Sequence, residues 1–280
     1  MRKGVVAIVS EAFQDVKGNV ILFVPLLLTL AVTIGISFLL AAMVNTSSTF
    51  LNVSTTGNNA NLNWASFSAG EIAVMAAFYL FMIAVEIVGY CWLLCMASEV
   101  MQEGGTSMGS SLAIMKSRLP AFIGTSVLIG VIGGLYFLFG FFVLFSMGIA
   151  GVLLFMIAWI VLAIFLMLAI PATIVGELGP FAAVADSFGK AKANFGRLLA
   201  FIGLMLVLAI GTGIIAIIVG LIPIIGVAGM LAWSLGFGVL GVMAIVRLYG
   251  EMSREENPDT GRTGSAIPDQ PIPPAQPTQP

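Results

Sequence analysis

A chain of 280 residues that is 60% apolar and only 9% charged, with a mean hydropathy of +1.12, has too few polar side chains to cover a soluble body of its size. The formal charge of −2 says nothing about partners, because the charges are segregated: none falls from Gly18 to Gly70, from Leu119 to Gly176 or from Leu198 to Val246. Histidine is absent, which removes the commonest general base and metal ligand, and the two cysteines give no disulfide framework.

Charge-free runs of this length read as bilayer spans of about 20 residues each. A membrane barrel would instead alternate weakly over segments of about ten residues. The first span is expected over Val20–Val44. It is longer than the signal-peptide core of about 7–15 residues, and Glu11 and Asp15 stand before it, so it reads as uncleaved. A polar stretch follows, Asn45 to Ser68, with six Asn, nine Ser or Thr and no charge, which places it in an external loop. Asn45-Thr46-Ser47 and Asn52-Val53-Ser54 match the glycosylation sequon there, a pattern that chance also produces in such a stretch. Span two is expected over Ile72–Ala97 and span three over Leu119–Phe145, with a break at Ser146-Met147-Gly148. Span four ends at Ile170 before Pro171, span five covers Leu198–Ile222 before Pro223, and span six covers Ile225–Val246, stopped by Arg247.

With Arg2, Lys3 and Lys17 inside, the zig-zag of six spans also leaves Lys116, Arg118, Lys190, Lys192, Arg197, Arg247, Arg254 and Arg262 inside. All 11 basic residues therefore share one side, and the positive-inside rule predicts cytoplasmic termini in a plasma-membrane protein.

Three basic segments follow one pattern: a small residue, a large apolar one, three variable positions, Lys, a small residue, then Asn or Arg. The copies are Ala12-Phe13 to Asn19, Ser111-Leu112 to Arg118, and Ser187-Phe188 to Asn194, each just before a pair of spans. Apolar residues step by three and four through Val6, Val9, Phe13, Val16 and Val20, through Met108, Leu112, Met115 and Leu119, and through Phe181, Val184, Phe188, Ala191, Phe195 and Leu198. Such helices lie in the headgroup plane. The expected fold is thus an all-α integral membrane protein of six transmembrane helices. These form three helical hairpins, each preceded by a cytoplasmic interfacial amphipathic helix. The six-helix domain covers 1–250, with pseudo-repeats at about 5–98, 106–170 and 179–249. A disordered Pro-rich cytoplasmic tail covers 251–280, where Pro268, Pro271, Pro274, Pro277 and Pro280 recur every third residue.

The stretch from Pro171 to Phe201 combines a proline at the end of span four, Glu177 beside Gly176 and Gly179, the Ser187-Phe188 pair, and Lys190, Lys192 and Arg197 before span five. It resembles the cytoplasmic linker of six-span membrane proteins related to the membrane domain of glycerophosphodiester phosphodiesterases. The resemblance implies a bacterial or archaeal plasma-membrane helical bundle. It implies no hydrolase activity, which in that family belongs to a separate soluble barrel absent from this sequence.

Glu86, near the middle of span two, is the sharpest candidate for function. A carboxyl at that depth costs about 2.5–3.5 kcal/mol on insertion scales, and no Lys or Arg lies within a span to pair with it. Tyr90 shares its face one turn on and Tyr79 two turns back, while Ser126, Tyr136 and Thr212 are candidate partners from other spans. Glu86 is either a proton- or cation-coupled site or a neutral carboxyl tying helices together. Ser126, Gly130 and Gly134 form a small-residue ladder that suits close helix packing, within the bundle or in a homo-oligomer, and Gly238 and Gly241 flatten span six. Cys91 and Cys95 read as small packing residues. No nucleophile–base pair, cofactor cradle, metal cluster or nucleic-acid patch is present, so the expectation is a chain that is not an enzyme and needs no cofactor. It is a scaffold or accessory protein of the envelope whose partner is the lipid bilayer; the tail reads as a stiff, disordered spacer, with docking of a cytoplasmic protein partner as the alternative. The alternative is a small proton- or cation-coupled transporter or channel using Glu86.

Overall fold

The computed structural model describes residues 3–46, 69–220, 222 and 225–256, and within these the chain is helical apart from short connections. The loop with the two sequons, beyond Thr46, and the Pro-rich tail, beyond Glu256, lie outside the described residues. The helices are α1 (Val5–Gly18), α2 (Val24–Thr46, entered through a 3-10 turn at Val20–Phe23), α3 (Ala69–Glu103), α4 (Met108–Leu166), α5 (Ala169–Ile174), α6 (Pro180–Ala193), α7 (Phe195–Gly220) and α8 (Ile225–Glu256). Among the described residues six stretches are long and apolar enough to cross a bilayer: Val20–Leu40, Ile72–Glu103, Met108–Phe142, Ser146–Ile174, Phe195–Gly220 and Ala228–Glu256. The protein is an all-α, multi-pass membrane protein.

Three expected boundaries are corrected. The second basic segment is not a separate helix: α4 runs unbroken from Met108 through Pro120 into span three. In the other two copies Asn closes the helix. The amide and side chain of Asn19 both donate to the Asp15 carbonyl (2.9 and 3.0 Å), and those of Asn194 both donate to the Lys190 carbonyl (2.9 and 3.2 Å). Arg118 stands at that position in the second copy and has no short amide to compete with the backbone, so the helix continues. Pro171 does not end span four. It sits in the first turn of α5, where its missing N–H is no loss, and the Val175 amide donates to its carbonyl at 2.8 Å. Arg247 does not end the helix of span six: it pairs with Glu11 and Asp15, and α8 continues to Glu256. The expected break at Ser146-Met147-Gly148 is present: Gly148 (φ 56, ψ −137) adopts a conformation that only glycine takes readily and divides α4 into two legs.

The two legs of α4 pack together, with the Tyr136 ring against Phe155 (4.9 Å) and Trp159 (5.4 Å). α2 packs on α3 and α7 on α8, while α3 also meets α4 and α8. Burial is concentrated at the end that carries the basic residues. No described residue of α3 before Gly89 is buried, whereas Leu93 to Val100 are buried throughout; on α8 the run is Met243, Ala244, Val246, Leu248 and Tyr249. Toward the opposite end the helices present Phe38, Leu80, Phe139, Ile149, Val207 and Ile217 outward. In hydrocarbon these need no protein partner.

The small residue of each basic segment, Ala12, Ser111 and Ser187, is fully buried, while the next residue, Phe13, Leu112 or Phe188, is exposed. Lys17, Lys116 and Lys192 are exposed as well. The Trp92 indole N–H donates to Ser111 Oγ (2.9 Å), and Ser187 Oγ donates to the Phe165 carbonyl (2.5 Å). Each hydroxyl thus fastens its segment to the span that precedes it.

Candidate functional site: a cleft holding Glu86

Glu86 and Tyr90 stand one turn apart on α3, and Gly89 between them lets α2 come close. A Cβ on Gly89 would overlap Thr29, whose hydroxyl donates back to the Pro25 carbonyl (2.8 Å). Thr33 follows Thr29 by one turn. α8 closes the third side with Ser234, Leu235 and Gly238, and the Leu26 methyl lies 3.6 Å from where a Gly238 Cβ would sit. The result is a cleft of about 500 Å³ between α2, α3 and α8 in which Glu86 and Tyr90 meet Thr29, Thr33 and Ser234 over walls of Leu26, Leu30 and Leu235. Glu99 lies thirteen positions beyond Glu86, and Arg247 thirteen beyond Ser234. At a rise of about 1.5 Å per residue both groups lie about 20 Å from the charged end, near mid-bilayer. No hydrogen bond or ion pair joins Glu86 to another described residue.

The partners expected from other spans are corrected. The Tyr136 hydroxyl donates to the Phe155 carbonyl (2.6 Å) and the Thr212 hydroxyl donates to the Leu208 carbonyl (2.6 Å); neither of them, nor Ser126, nor Tyr79 on the same helix as Glu86, lines the cleft. Tyr90 instead faces Phe122 of α4, ring centres 6.1 Å apart. In the ladder of Ser126, Gly130 and Gly134, a Cβ on either glycine would have no neighbour within 4 Å. The close approaches on α4 fall on Gly133 against Trp159, Gly140 against Phe155 and Gly124 against Pro180. Gly238 and Gly241 make ordinary contacts with Leu26 and Met205, and Cys91 and Cys95 are free and fully buried.

The sequence reading missed a layer of ion pairs at the basic end. Arg247 of α8 reaches Glu11 (2.7 Å) and Asp15 of α1, and Lys3 holds Glu11 from the other side (2.9 Å). Arg197 pairs with Glu255 (2.8 Å) and donates to the Lys3 carbonyl (3.0 Å). Lys190 pairs with Asp186 and Glu256 (3.3 Å) and lies over the Tyr249 ring, and Tyr249 donates to Asp186 (2.9 Å). The signal available was the spacing of Glu11 and Asp15, and of Asp186 and Lys190, at matching positions of two copies of the pattern. The hydrogen bond from Lys3 holds the Glu11 carboxyl below its ordinary range. Burial alone would raise it, but the charges of Lys3 and Arg247 also lower it. For Lys190 burial is the largest influence and lowers its pKa, yet Asp186, Tyr249 and Glu256 together raise it above the ordinary lysine value.

Comparison with protein-family models, with curated proteins and with solved structures finds no match, so the chemistry of the chain is argued from its own residues.

Proposed function

We propose that this is a non-catalytic scaffold or accessory protein of the bacterial or archaeal plasma membrane, with both termini in the cytoplasm. Its six spans form three hairpins in threefold pseudo-repeat, each hung from an amphipathic segment at the cytoplasmic interface. The observation that carries this reading is the repeated placement of one small residue inward, one large apolar residue outward and one lysine free at the same end. An outward apolar side chain beside a free lysine suits the boundary between acyl chains and anionic headgroups. The relation to the membrane domain of glycerophosphodiester phosphodiesterases is part of the proposal, supported by the six spans and the linker from Pro171 to Phe201.

Single cysteines at Lys116 and Lys192 should react with a membrane-impermeant maleimide only after the cells are opened. Labelling of intact cells at either site would overturn the topology.

A second reading is favoured by the Glu86 cleft: a small proton- or cation-coupled transporter. Flux of ions or solutes in proteoliposomes that Glu86→Gln abolishes would support transport. No flux, together with specific partner capture by the wild-type chain, would support the scaffold.

A further inference from the structure

We propose that the cleft between α2, α3 and α8 binds a lipophilic organic cation that enters from the bilayer. Charge, depth and size each constrain the occupant. Among the described residues that line the cleft Glu86 alone is acidic or basic, and no described residue bonds it. The hydroxyls of Thr33, Tyr90 and Ser234 likewise make no hydrogen bond to a described residue, so four polar groups from three helices converge without partners in the protein. A carboxyl in hydrocarbon is stable when it is neutral or when a counter-charge meets it, and the lipophilic cation supplies the second condition.

The position near mid-bilayer, about 20 Å from the charged end, favours a ligand that partitions into hydrocarbon. A cleft of about 500 Å³ is far larger than a bare ion requires and falls in the range of about 300–1,000 Å³ typical of small-molecule sites. A proton or metal ion would satisfy Glu86 but leave the Leu26, Leu30 and Leu235 walls unfilled. An acyl chain would fill the walls but leave the carboxyl unmatched. A cation with an apolar body does both. The inference names the ligand class for the site used in the second reading. Binding without flux would keep the site and remove transport.

The test uses the full chain in zwitterionic nanodiscs and the probe tetraphenylphosphonium, measured by equilibrium dialysis. Expected are saturable binding of one probe per chain, at least a tenfold weakening in Glu86→Gln, and a similar loss in Ser234→Phe, which fills the cleft and keeps the carboxyl. The neutral analogue triphenylphosphine oxide should not saturate. In the wild-type chain the probe should also protect Glu86 from an apolar carbodiimide, a readout that needs no substitution. Absence of saturable binding, equal binding by folded Glu86→Gln, equal binding of the neutral analogue, or unprotected Glu86 would each overturn the proposal.

Discussion

At the scale of single residues, two kinds of glycine are easily confused in a sequence. Gly89 is a contact residue, because a side chain there must displace Thr29 and separate α2 from α3. Gly130 has open space above it. Gly89→Leu should therefore destabilise the protein by about 1–3 kcal/mol, the usual cost of overpacking, whereas Gly130→Leu should change stability by no more than about 0.5 kcal/mol. Thermal unfolding in detergent reads both, and a large loss in Gly130→Leu would show that a second chain covers the ladder. Glu177 is a different case, a non-glycine residue at φ 55 whose exposed carboxylate pairs with Arg118. Glycine relieves a left-handed backbone by about 1 kcal/mol and the exposed pair contributes less than that. The expected order of melting temperature is Glu177→Gly above Glu177→Ala, and the reverse order would refute the strain.

At the scale of elements, the buried hydroxyls of Ser111 and Ser187 are the pins between each basic segment and the span before it. Ser111→Ala leaves the Trp92 N–H without its acceptor and should cost about 1–2 kcal/mol; Ser187→Ala loses one hydrogen bond and should cost about 1 kcal/mol. Unfolding midpoints unchanged in both variants would show that packing alone holds the segments. The six spans were legible because an uninterrupted apolar run has one physical solution in lipid. Gly148 was legible for the same kind of reason, as a turn that needs a residue without Cβ. The end of α8 was not legible at Arg247, since a charge marks where a helix leaves hydrocarbon and not where its hydrogen bonds cease. The continuity of α4 was written in Arg118 standing where the other copies have Asn, a difference with meaning only once the carbonyl it leaves alone is seen. The pairing of Glu86 and Tyr90 followed from helical spacing, but Thr33 and Ser234 come from other helices whose rotation no single-chain pattern specifies.

At the scale of the whole molecule, the helices are joined at one end, and the joints are of two kinds. Hydroxyl and indole groups join the second and third basic segments to their neighbours, and the third is also tied to α8 by charge, through Lys190, Asp186, Tyr249 and Glu256. α1, where Ala12 replaces the serine, is joined to α8 by charge through Glu11, Asp15 and Arg247. Because the Glu11 pKa is lowered in the folded protein, its contribution is full above the unfolded carboxylate range and is lost as the pH falls through the folded value. Hydrogen exchange of α1 amides should therefore accelerate as the pH falls through that value, and Arg247→Gln should exchange faster already at neutral pH. Exchange of α1 that is unchanged across the acid range would contradict this.

The carboxylates of α1 are synthesised well before their guanidinium partner, which lies 236 residues beyond Glu11 and 232 beyond Asp15. Until Arg247 leaves the ribosome, Glu11 cannot make that contact. The joint between α1 and α8 therefore closes late, and a chain truncated before Arg247 would leave Asp15 without that guanidinium while Glu11 kept only Lys3.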